Sequence, residues 1–97
     1  MKTNYQMMNE LNSEYTPKQR GIVSMSEIYK INETLELDKR DVLDLRNLRD
    51  FAVYYWSTII NALMEVKDTD TALAIMDKQS AILTVIDEKI ANKGGEL

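Results

Sequence analysis

DKRDVLDLRNLRDFAVYYWSTIINALMEV, residues Asp38 to Val66, decides the fold. Leu45, Leu48, Ala52, Tyr55, Ile59, Ala62 and Val66 recur at intervals of three and four, the period of a helix that buries one face. After a short polar break the period resumes at Ala72, Ile75, Ile82, Ile86 and Ile90. Two long helices joined by so short a connection must lie antiparallel and bury a shared seam. The chain therefore reads as all-α: a long antiparallel helical hairpin, about 38–66 and 69–92, with two short N-terminal helices packed on it. Pairing residues about the turn sets Ala52 near Ile86, Leu48 near Ile90 and Leu63 near Ile75.

Plotted at about 100° per residue, the apolar positions of this third helix cover more than half its circumference. Its polar strip is Asn47, Asp50, Ser57, Asn61 and Glu65, interrupted by Leu43 and Tyr54. So wide an apolar arc needs cover on two sides. One cover is the fourth helix, 69–93; the other is either the N-terminal helices or a second copy of the chain, and the width of the arc favours a homodimer.

Start signals place the N-terminal elements. Thr3 with Gln6, and Ser24 with Glu27, form capping boxes that open helices over 3–14 and 24–36. Val23 and Ile28 bracket the second box as a hydrophobic staple. Thr16-Pro17-Lys18-Gln19 reads as one helical turn, ended by Gly21 in a left-handed conformation. Asp38-Lys39-Arg40-Asp41 opens the third helix. Gly94-Gly95 stops the fourth and leaves 94–97 as a short loose tail.

The 97 residues make one domain, 1–97, small enough that its core hides only about 60–65% of the unfolded surface. The chain has neither Cys nor His, which removes thiolate chemistry, the commonest general base and the commonest metal ligand. No stretch approaches the ~20 apolar residues of a membrane span, and the first residues carry no apolar leader, so a cytoplasmic protein is expected. The net charge of −4 suits solubility and argues weakly against a nucleic-acid partner.

Glu33-Thr34-Leu35-Glu36 followed by Glu65-Val66-Lys67-Asp68 resembles the E-x-x-E…E-x-x-D signature of the all-α nucleotide pyrophosphohydrolases. Those enzymes gather carboxylates around Mg²⁺. Here the two acidic pairs fall at opposite ends of the third helix, roughly 40 Å apart, and one metal cannot bridge them. With no nucleophile–base pair and no glycine-rich phosphate loop, no enzyme is expected: no catalytic residue, no cofactor and no metal. The segment from Pro17 to Arg49 resembles a helix-turn-helix DNA reader. It would present Lys39, Arg40, Arg46 and Arg49 to a groove, aided by Lys18 and Arg20. Asp38, Asp41, Asp44 and Asp50 alternate with these cations and cancel their field.

What remains is protein recognition. Arg49, Phe51, Tyr54, Tyr55, Trp56 and Gln79 are the interface candidates, because Arg and aromatics dominate binding hot spots and a polar residue within a seam can fix register. Arg49 faces the seam at the level of Asp87, which also suits a structural ion pair. Met7, Met8 and Met25 supply adaptable apolar surface. The short Lys-, Asn-, Ile- and Glu-rich chain resembles accessory proteins of phages and mobile elements in low-GC bacteria. The resemblance implies a non-enzymatic regulator or inhibitor of a larger machine. One version offers Glu10, Glu14, Glu27, Glu33 and Glu36 to a nucleic-acid-binding cleft, as DNA-mimicking inhibitors, including some anti-CRISPR proteins, do. A structural or assembly role is the further alternative.

Overall fold

The computed structural model describes residues 1–95 and is all-α. Helix α1 spans Asn4–Glu14, α2 Met25–Leu35, α3 Val42–Glu65 and α4 Thr69–Asn92. Both N-terminal capping boxes form as their sequences require. Thr3 and Gln6 exchange side-chain and backbone hydrogen bonds at the start of α1, and Ser24 and Glu27 do so at the start of α2. Helices α3 and α4 make the long antiparallel hairpin, whose length matches the 40 Å long axis of the molecule.

Three boundaries differ from the sequence reading. Helix α3 starts at Val42 and not at Asp38, because Leu37–Lys39 form a separate 3₁₀ turn. Glu36 (φ 54°) reverses the chain into that turn, and Asp41, not Asp38, caps α3 by accepting a hydrogen bond from the Asp44 amide. The segment after Thr16 is no helical turn. Gln19 and Ile22 close a tight turn through a backbone hydrogen bond, with Gly21 at φ 77° supplying the left-handed conformation. Gly94 and Gly95 are not loose either. With Gly94 at φ 84°, the amide of Gly95 bonds to the Ile90 carbonyl and that of Gly94 to the Ala91 carbonyl, a Schellman ending. Gly95 sits so close to Ile90 and Val42 that a Cβ would lie 2.6 Å from one side chain and 2.9 Å from the other. The rest of the expected tail, 96–97, lies outside the described residues.

The core forms where three layers of side chains meet. Leu45, Leu48, Ala52 and Trp56 of α3 and Ile82, Ile86 and Ile90 of α4 are fully or almost fully buried, joined by Met8 and Leu11 of α1 and by Ile31 and Leu35 of α2. Tyr55 stands edge-on to both Tyr5 and Trp56. Helix α1 runs alongside α3: Asn4 meets Arg40, Asn9 accepts from the Tyr55 hydroxyl, and the Asn12 carbonyl accepts from Lys78 of α4. Helix α2 returns along α4, from Arg20–Asp77 near its start to Lys93, whose ammonium caps the carbonyls of Leu37, Asp38 and Arg40. The α1–α2 layer thus makes its bonds to the hairpin up to Tyr55 on α3 and back to Asp77 on α4. Past these bonds most residues of the hairpin's tip, 61–74, are exposed.

Candidate functional site

Four of the five acidic candidates meet in one place. Glu10 and Glu14 of α1 and Glu33 and Glu36 at the end of α2 line a single open groove between the two helices, with Lys2, Lys30 and Tyr29. Helical spacing explains the gathering. Glu10 and Glu14, four apart, share one side of α1; Glu33 stands on one side of the last turn of α2, and Glu36 follows that turn where the chain reverses. The antiparallel packing of α1 on α2 then turns those two sides toward each other. Lys2 pairs with Glu10, and Lys30 lies 3.5 Å from the Glu14 carboxylate. The bond to Glu10, with the charges of Glu10, Glu14 and Glu36, raises the pKa of the exposed Lys2 ammonium. A cation there is held charged by the field of the groove. Tyr29, 68% exposed, stands at the junction of this groove with a second depression formed by Asn32, Glu33, Glu36, Asp38 and Lys39. The acidic wall therefore carries one large amphipathic side chain that is free to pack against a partner.

Glu27, the fifth, is a correction. It is buried, with its carboxylate turned inward to accept hydrogen bonds from the Lys18 and Ser24 amides and the Tyr15 hydroxyl. These bonds, led by that from the Ser24 backbone, hold its pKa at about 2. Burial and the neighbouring carboxylate push Tyr15 well above its ordinary value. Glu27 is a structural clamp on the loop between α1 and α2.

The interface candidates separate. Trp56 is wholly enclosed and Tyr55 nearly so; Phe51 is half-buried and stacks on Tyr55. These three build the core that holds α1 and offer little to a partner. Arg49 donates to Asp87 across the seam at 2.6 Å, and that bond raises its pKa. Gln79 donates to the Ser57 hydroxyl and the Val53 carbonyl. Both polar seam residues are satisfied within the hairpin. Tyr54 alone of the six is largely exposed, at 69%, on the outer face of α3 with Leu43.

Three of the cations named for a DNA reader are engaged within the fold. Arg40 is buried, donating to the Leu35 carbonyl, to Asp44 and to Asn4. Arg20 pairs with Asp77, and Arg49 with Asp87. Among the described residues no group of three or more acidic side chains could hold a metal ion. The two acidic pairs that resemble the pyrophosphohydrolase signature stand at opposite ends of α3, about 36 Å apart. Met7 and Met8 fill the core, whereas Met25 is exposed.

Sequence reasoning named the groove's carboxylates without seeing that they converge, and it missed Tyr29. The signal for Tyr29 was its place two residues beyond Glu27, off the apolar Ile28–Ile31–Leu35 side of α2. No protein-family model, curated protein or solved structure matches this chain. No described helix is long and apolar enough to cross a membrane.

Proposed function

We propose that this protein is a non-enzymatic binding factor of the phage or mobile-element accessory type, acting in the cytoplasm. It inhibits or regulates a larger machine by docking the α1–α2 face on a basic, nucleic-acid-binding surface. The observation that carries the reading is the convergence of Glu10, Glu14, Glu33 and Glu36 on one groove beside exposed Tyr29. An acidic wall repels nucleic acid and attracts the cationic cleft that binds it, and electrostatic attraction of this kind speeds encounter. The aromatic ring supplies the apolar contact that charge alone does not. The burial of Arg40, with Arg20 and Arg49 each paired to an aspartate, supports a protein partner over DNA.

The test is capture of partners from the native host with tagged wild-type protein and with a variant carrying Glu10, Glu14, Glu33 and Glu36 all changed to Gln. The wild type should retain a stoichiometric larger protein that heparin displaces, and the variant should lose it while keeping its helical spectrum. Retention of the same protein by both forms, or direct retention of duplex DNA at low salt by the wild type, would sink the reading.

A further inference from the structure

A second groove, sharing no residue with the acidic one, runs between α4 and the loop that precedes α2. Asp77, Ser80, Ala81, Thr84, Val85 and Glu88 form its α4 wall, a set that recurs every three and four residues and so shares one side of the helix. Val23 and Ile28 oppose them. Ser80, Ala81 and Thr84 are too small to close the space between the walls. The groove holds about 320 Å³, at the lower end of the range for ligand sites. Its lining is apolar at Val23, Ile28, Ala81 and Val85 and charged at both ends. One end carries the Arg20–Asp77 pair at 3.3 Å. At the other stands the exposed Glu88, whose carboxylate has no hydrogen-bond or ion-pair partner among the described residues.

We infer that this groove binds an extended peptide of another protein, which seats an aliphatic side chain on the apolar lining and, two residues away, a Lys or Arg against Glu88. Length, backbone and charge select this occupant. From Asp77 to Glu88 the α4 wall spans about 16 Å, the reach of about five extended residues. Val23 offers a peptide backbone both a donor and an acceptor, since neither its amide nor its carbonyl has a partner among the described residues. A strand added there faces the groove with alternate side chains, so residues i and i+2 enter it together. Val85 and Glu88 stand one helical turn apart, about 5 Å along the axis, and the step between alternate residues is about 7 Å. An aliphatic residue over Val85 thus sets a cation within reach of Glu88. With Arg20 neutralised by Asp77, Glu88 leaves the groove net negative, and a cationic peptide complements it.

The isotope-labelled full chain is titrated with acetyl-Ser-Leu-Ser-Lys-Ser amide at low salt and followed by nuclear magnetic resonance. The methyl signals of Val23, Ile28, Ala81 and Val85 and the Val23 amide should move together and saturate. Replacing the peptide's Lys with Glu should weaken binding at least about threefold, the effect of one exposed ion pair. Glu88→Gln, at an exposed position, should keep the fold and remove the difference between the two peptides. Ser80→Leu with Thr84→Leu fills the groove from exposed positions and should abolish the methyl shifts with both. The Glu88 comparison decides the matter even if this filled variant folds poorly. No saturable movement of these signals, movement centred instead on Glu33 and Glu36 of the acidic groove, or a preference for Lys that survives Glu88→Gln would overturn the inference.

Discussion

The Glu27 carboxylate organises the loop between α1 and α2 single-handedly. It closes the capping box with Ser24 and then uses its remaining lone pairs on Lys18 and on Tyr15, twelve residues upstream. The box was legible in Ser24-Met25-Ser26-Glu27. The inward turn of the side chain was not, because it depends on a buried tyrosine just past the end of α1. Replacing Glu27 with Ala strands those donors and should cost about 1–3 kcal/mol at neutral pH by urea denaturation. The folded pKa of about 2 lies below the ordinary 4.5. The contribution is therefore complete above 4.5 and lost as pH falls toward 2, so the gap between wild type and variant should narrow across that interval. A gap that stays constant with pH would show that the ionised carboxylate is not what holds the loop. Arg49 is the contrasting case. Its partner Asp87 could be named from seam level alone, since the register of an antiparallel hairpin is set by its turn.

That turn is the element where sequence and geometry are at odds. The amide of Asp68 bonds to the Leu63 carbonyl and that of Lys67 to the Met64 carbonyl, the same ending that Gly94 and Gly95 give α4. Here the left-handed position is occupied by Lys67, at φ 60°. Asp68 then caps α4 by accepting from the Thr71 amide, so one residue ends one helix and starts the next. A lysine in this conformation is strained where glycine is not. Lys67→Gly should raise stability by up to about 1 kcal/mol, a gain of a few degrees in Tm. An unchanged or lower Tm would mean that the Lys67 side chain contributes something its backbone conformation hides. The lack of glycine at this turn also explains why the sequence marks the end of α3 only through its polar break. The end of α4 is announced plainly by Gly94.

At the scale of the molecule, the body is tied together where Arg40 lies. Its guanidinium joins the start of α1 at Asn4, the end of α2 at the Leu35 carbonyl and the first turn of α3 at Asp44. Arg40→Met removes these bonds and leaves buried acceptors without donors. It should cost about 2–4 kcal/mol and speed hydrogen exchange in α1 far more than in the seam of α3 and α4. Equal acceleration in all four helices would instead make Arg40 a keystone of the whole fold. As a sequence feature Arg40 was indistinguishable from its charged neighbours Lys39 and Asp41. The apolar period, the caps and the glycine stop determined four helices and a hairpin, because such signals act within a few residues along the chain. Which glutamates share a groove, which arginine is buried, and how far the N-terminal layer reaches along the hairpin were decided only by tertiary packing. Those properties depend on the orientation of helices far apart in sequence, which local spacing does not encode.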